Sequence, residues 1–280
     1  MSGPDDWITT TALAGATLTA TAGAVAAFTR TSGARRLERL AAVATAVLGA
    51  GVFCYRALAV HHQWSALPSH VDGLALLVAL LAAAVVYLQW SGRLPGAGLF
   101  ALPLLALLAL WGVCASWWTL RLFEIGSVWQ AVHRVSVYAG TVGLAAAAVA
   151  GGLWLYVDRQ LRGRDHMAQR FAVLGRLGNL ESIEQTITRS ATLGFVLLTL
   201  GLLTGWVVVL AGPTRLGEGW WHSPKVILAA VVWVIFALVM HVRLVPVFRG
   251  RRAAVLSILG FVLLLGVMGL AQMLGGKGGG

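Results

Sequence analysis

Charge is scarce in this 280-residue chain: only 11% of residues are Asp, Glu, Lys or Arg, and the acidic ones number just 10. A soluble domain carries about 25%. Cysteine is nearly absent. Cys54 and Cys114 each sit inside an apolar run without a CxxC or CxxCH pattern. That excludes a disulfide framework, a zinc knuckle and a thiol-redox motif, and both are expected to be small buried hydrophobes. HExxH, G-x-S-x-G, Walker A and a strand-linked GxGxxG are all missing, so a hydrolase or a nucleotide-driven enzyme has no support. No internal repeat and no inverted pair of broken helices is visible, which argues against a transporter.

What is abundant is apolar. Hydrophobic residues make up 59% of the chain and mean hydropathy is +0.82, so the sequence describes an integral membrane protein. The net charge of +11 would suggest nucleic acid in a soluble chain. In a membrane protein the placement of the charges matters more, and no nucleic-acid partner is expected. Spanning helices need about 20 mostly apolar residues. Eight segments qualify: Ile8–Phe28, Leu40–Val60, Val71–Trp90, Gly96–Trp118, Val132–Val157, Ala191–Gly212, Val226–Leu244 and Ala253–Leu274. The expected fold is all-α, a single membrane domain over 1–280 built as a bundle of about eight transmembrane helices.

Placing the N-terminus outside puts 15 of the 21 Lys and Arg residues in inner loops, as the positive-inside rule requires. Both termini are then predicted on the outer, periplasmic side. The first span has an acidic leader (Asp5, Asp6) and basic residues after its apolar run, the reverse of a secretory signal, so it reads as a retained helix. Gly15, Thr19 and Gly23, and again Gly143, Ala147 and Gly151, recur every four residues, a spacing that lets a neighbouring helix approach closely. The mixed-charge stretch 158–190 is read as an inner loop, with Ser182 and Gln185 as a capping box for the sixth helix. The GGKGGG tail, 275–280, is predicted to be disordered.

Topology sorts the seven histidines. His61, His62, His70, His133 and His222 fall at helix ends on the outer side, His166 in the inner loop, and His241 near the inner end of the seventh span. One interfacial histidine is ordinarily a hydrogen-bonded surface group. Five at one surface are harder to dismiss, and histidine is a common axial ligand of haem iron. Tryptophan is biased the same way: Trp7, Trp64, Trp117, Trp118, Trp129, Trp220 and Trp221 lie at the outer face, only Trp90 and Trp154 at the inner one. An interfacial belt populates both surfaces, whereas a large flat ligand held outside accounts for the asymmetry. Belt and binding platform both remain open on composition alone.

Geometry limits the pairings. His222 and His241 are 19 residues apart, roughly 28 Å along a helix, so they cannot share one iron. No other span carries a matching histidine pair, which argues against a four-helix b-type electron carrier. Arg56, Arg121, Arg134 and Lys225 lie near the outer histidines and could hold carboxylates of a ligand. Asp72, Glu124 and Glu218 are equally available to pair with Arg56 and Arg121.

Three stretches together resemble the cytochrome c assembly family (CcsA, ResC and CcmC), and within it the compact eight-span HemX/YpjD-like proteins. They are VHRVSVYAGTVGLAAAAVAGGLWLYVDRQLR, LESIEQTITRSATLGFVLLTLGLLTG and WWHSPKVILAAVVWVIFALVMHVRLVPVFRGRRAAVLSILGF. The resemblance is strongest over 132–274. It implies that His133 is an external haem ligand and His241 the histidine within the membrane. It also implies that Trp220 and Trp221 belong to a tryptophan-rich haem platform trailed by Pro224 and Lys225. The family's WD-P-K element reads WHSPK here, and no histidine follows the last span. His61, His62 or His222 is left to supply a second outer ligand.

The expected function is thus haem handling in cytochrome c biogenesis in a bacterial inner membrane, with haem b as cofactor. The metal candidates are His133, His222, His61 and His241, with Arg134 and Lys225 beside them. The resemblance implies a ResB/CcsB-like subunit and an apocytochrome c as partners. It assigns no catalytic residue to this chain, although a haem-attachment complex could contain it. The alternatives are a HemX-type scaffold or regulator acting through 158–190 and, further off, a small-molecule transporter.

Overall fold

The computed structural model describes residues 4–29, 33–60, 67, 69–118, 128–162, 174–175, 177–211, 224–240 and 250–275. Those residues form eight long helices and no strand, as an all-α membrane protein requires. They are α1 (Pro4–Thr29), α2 (Ala34–Tyr55, continued by a π-helical turn, Arg56–Val60), α3 (His70–Trp90) and α4 (Gly98–Trp118). After them come α5 (Val128–Arg162), α6 (Leu180–Ala211), α7 (Pro224–Met240) and α8 (Arg251–Gly275). Seven are long and apolar enough to cross a membrane. The exception among the eight expected spans is α7, whose described length is 17 residues, at the lower limit of about 17 for a crossing.

The outward faces are as apolar as the interior. Leu18, Val47, Leu107, Leu203 and Leu259 are all exposed, which water would penalise and lipid does not. Cys54 is exposed as well and Cys114 half-buried, which corrects the expectation that both are buried. An apolar run in a membrane helix has a lipid side as well as a core side. Threonines inside the helices return their hydroxyls to the carbonyl four residues back, as in Thr17 to Leu13, Thr45 to Ala41 and Thr204 to Leu200, so their polar atoms are satisfied without water.

Two compact units emerge, Met1–Ile125 with Leu155–Ile183, and Gly126–Trp154 with Glu184–Gly280. In the first, α3 is the most enclosed of the first four helices, 61% buried against 33% for α1 and α2. The small-residue stripe of α1 does admit a neighbour. A Cβ on Gly23 would lie 2.5 Å from that of Ala41 on α2, and the Thr19 and Thr45 hydroxyls meet at 3.1 Å. Gly49 of α2 packs on the backbone of α3 at Ala79. At one end of this unit Arg56 is buried with Asp72. At the other, the Gln89 amide donates to the buried Glu38 carboxylate at 2.6 Å, while Gln89 Oε1 has no protein partner among the described residues.

The second unit is knitted by the stripe predicted for α5. Gly143 faces the Gly194 backbone of α6, and Gly151 faces the Ala254 carbonyl of α8; an added Cβ would approach these to 2.9 and 2.8 Å. The Trp233 indole N–H of α7 donates to Thr199 Oγ1 of α6 at 2.9 Å, beside a ring contact with Phe195. Phe236 lies against Gly260 of α8.

Helix α6 starts earlier than its apolar run suggests, and its cap is not the expected one. Asn179 Oδ1 accepts from the Glu181 amide at 3.0 Å, so Asn179 is the N-cap, whereas the Ser182 hydroxyl donates to the Arg93 carbonyl at 2.7 Å. A full capping box stands instead at α3. The Asp72 amide donates to Ser69 Oγ, and the Ser69 amide to Asp72 Oδ2. The pattern is recognisable in sequence, but an Asp in the usual Glu position conceals it.

Candidate functional site around His133

Helix α5 begins at Val128, four residues ahead of its predicted apolar start, and this extra turn places His133 and Arg134 within a regular helix. Trp129 precedes His133 by one turn, on the same face, and its indole is half exposed. His133 is half-buried and turned to α6. Its Nδ1 lies 2.7 Å from the carbonyl oxygen of Gly201. A carbonyl only accepts, so Nδ1 must carry the proton, and in the neutral ring Nε2 keeps its lone pair. One turn along α6, Gly205 leaves open the space beside the ring: a Cβ there would stand 2.9 Å from Cε1 and 3.0 Å from Nδ1. Nε2 is farther from that position, at 3.8 Å.

This arrangement suits a metal-binding imidazole. Ligating histidines donate the non-ligating ring N–H to a carbonyl or carboxylate, which fixes both tautomer and ring plane. The observed bond does the same, and it presents a bare nitrogen without spending a buried charge. The structure therefore fits an iron ligand at His133 Nε2. Arg134, next along α5 and half-buried, shares a face with Tyr138. Trp206, adjacent to Gly205, exposes its indole.

The other predicted site residues divide as follows. Lys225 lies in the first turn of α7. His61, His62, Trp220, Trp221, His222 and His241 lie outside the described residues, as do Arg121, Glu124, His166, Glu218 and the tail 276–280. His70 opens α3 and is half-buried. Arg56 is a carboxylate's partner inside the protein, as the pairing alternative had it. Its Nε donates to Asp72 Oδ1 at 2.5 Å, Nη2 to Ser69 Oγ at 3.2 Å and Nη1 to Thr9 Oγ1 at 3.5 Å. Sequence reasoning missed Gly201 and Gly205. Their four-residue spacing within LTLGLLTG is the same signal as the stripes of α1 and α5, with Gly201 against Val137 of α5 and Gly205 against the His133 ring.

Fold and site define a polytopic all-α membrane protein in which a histidine near one helix end has its Nδ1 held by a backbone carbonyl. The chain belongs to the cytochrome c assembly protein family, whose profile matches residues 74–274. That match contains His133, Arg134, Trp220, Trp221, His222, Lys225 and His241, and leaves out His61 and His62. Among curated relatives, the cytochrome c biogenesis protein CcsA of Prochlorococcus marinus (strain NATL1A) is 36% identical over 87 residues, 31% of this chain and 27% of the relative. CcsA of Pyropia yezoensis is 38% identical over 88 residues, 31% and 27% of the two chains. CcsA of Mesostigma viride is 36% identical over 94 residues, 32% and 30%. The matched stretches thus span under a third of the length of these relatives. No solved structure matches the chain.

Proposed function

We propose that this protein acts in cytochrome c biogenesis by holding haem b at the outer face of a bacterial inner membrane for delivery to, or presentation before, an apocytochrome c. The observation that carries this reading is the His133 Nδ1–Gly201 bond of 2.7 Å. It leaves Nε2 as an iron donor, and membership of a family whose curated relatives are named for cytochrome c biogenesis supplies the context. Haem, when bound, supplies the vinyl groups that become thioether links in a c-type cytochrome and an iron that must be kept coordinated until then.

The chain's own residues have separable tasks. His133 would hold the iron together with His222, His61 or His62. Ligation by two histidines would suit a parked cofactor better than oxygen chemistry, which needs an open position. Trp220 and Trp221 would pack on the haem, with Arg134 and Lys225 meeting its carboxylates as cations. His241 belongs to a second position toward the inner side. A ResB/CcsB-like subunit is the expected partner, with both termini of this chain outside.

The test is haem content and optical spectra of protein purified after growth with haem supplied. A Soret band in the wild type, lost or shifted in His133→Ala, is the expected result. Wild-type protein with no Soret band in either oxidation state removes the reading.

A further inference from the structure

We infer that Gly205 is a positioning residue of the His133 site: the side chain it lacks is the seat of the imidazole, and the seat decides which ring nitrogen faces outward. The inference rests on the reading of His133 as a haem ligand, but its structural half can be checked without haem.

Helices α5 and α6 approach closely because glycines line their contact. Gly143 lies against Gly194, and Gly140 against the Gly194 carbonyl and the Leu198 amide, which a Cβ would meet at 3.2 and 3.1 Å. The seam continues toward the start of α5. A Cβ on Gly201 would touch Val137 Cγ2 at 2.8 Å, and one on Gly205 would strike the His133 ring itself. Gly140 and Gly143 serve the approach of backbone to backbone, and Gly201 meets an aliphatic side chain. Gly205 differs, because the atoms in its place belong to a side chain that carries chemistry.

Two consequences follow. An Ala at 205 puts carbon within 2.9 Å of Cε1 and 3.0 Å of Nδ1, so the ring must swing. It is the movable end of its side chain, so it yields before the helices do. Swinging breaks the bond to the Gly201 carbonyl, which depends on the ring plane. The imidazole is then free to place its proton on Nε2, the nitrogen that must stay bare for iron. Gly205 thereby acts on the metal through a tautomer, without touching it. Within α6, Gly201 supplies the acceptor and Gly205 the room, one helical turn apart.

The test compares Gly205→Ala with Gly151→Ala, using haem-free and haem-loaded full-length protein in lipid nanodiscs. Gly151 lies on the same helix as His133, but its Cβ would meet the Ala254 backbone at 2.8 Å, far from the ring. Nitrogen-15 spectra of histidine-labelled, haem-free protein at mildly alkaline pH, with His133 assigned by its loss in His133→Ala, report the tautomer. The wild type is expected to show Nδ1–H with a bare Nε2. Gly205→Ala should lose that signature and bind haem about 10–100-fold more weakly, with altered Soret and visible bands. Gly151→Ala should lower thermal stability and keep the wild-type signature. A wild-type ring protonated on Nε2 overturns the inference, as does an unaltered Gly205→Ala spectrum. If the tautomer behaves as stated but His133→Ala leaves haem binding intact, the seat stands and the haem-ligand reading falls.

Discussion

Arg56 and Asp72 form a buried ion pair, sixteen residues apart in sequence and joined at 2.5 Å between the end of α2 and the first turn of α3. Both side chains are almost wholly enclosed, at 8% and 3% exposure. Ser69 and Thr9 take up the remaining guanidinium nitrogens, so helices α1, α2 and α3 meet in one polar node. Removing one member leaves an uncompensated charge, at a cost of about 3–5 kcal/mol. Asp72→Ala should therefore lower the thermal midpoint sharply and also uncap α3. Arg56→Met with Asp72→Leu should recover much of the loss, because a matched apolar pair is no worse than a matched ionic one. Thermal denaturation in detergent of the wild type, Asp72→Ala and the double variant checks both statements.

The Glu38–Gln89 contact predicts a milder and asymmetric response. Gln89 Nε2 donates to Glu38, and Gln89 Oε1 already lacks a protein partner among the described residues. Glu38→Ala strands the amide at both ends and should cost about 1–3 kcal/mol. Glu38→Gln keeps an acceptor and should stay near wild type. Equal destabilisation by the two would show that the charge, not the acceptor, is what this site uses.

At the α5–α6 crossing, Gly143 meets backbone rather than side chain, with the Gly194 nitrogen and Cα both 2.9 Å from an added Cβ. Neither helix can yield locally. Gly143→Ala should destabilise by about 1–3 kcal/mol, the range of overpacking, seen as a lower midpoint and reduced yield. Gly266→Ala, where a Cβ would meet nothing within 4 Å, is the matched control and should be neutral or slightly stabilising.

The orientation expected from the 15 inner-loop arginines is open to direct labelling. In a background carrying Cys54→Ser and Cys114→Ser, a membrane-impermeant maleimide added to intact cells should label Ser2→Cys and Gly278→Cys. Arg36→Cys should react only after permeabilisation. The reverse pattern inverts the topology, and with it the side on which His133 stands.

His133→Ala tests the site itself. With the ring gone, the Gly201 carbonyl loses one of its side-chain donors and, on the proposed reading, haem iron loses one ligand. Haem content should fall at least several-fold, and the spectrum of any residual haem should change. If His241 serves a separate position, as proposed, His241→Ala should leave the outer-site bands in place.

The sequence by itself determined the number of long helices, their extent within a few residues except at the start of α6, the all-α class, the close-packing stripes and the family. It also singled out His133 and Arg134. Span length, hydropathy and four-residue spacing are properties of contiguous chain, and lipid imposes them on each segment separately. Pairings between segments were decided only by tertiary structure. Arg56 had two plausible destinies in the sequence and takes Asp72. Ser182 looked like a cap and instead holds the Arg93 carbonyl, leaving Asn179 to open α6. Gly201, 68 residues from His133, is invisible as its partner until the helices cross. A backbone carbonyl has no sequence identity to read, and a glycine's missing side chain acquires meaning only when another residue's ring comes to lie in its place.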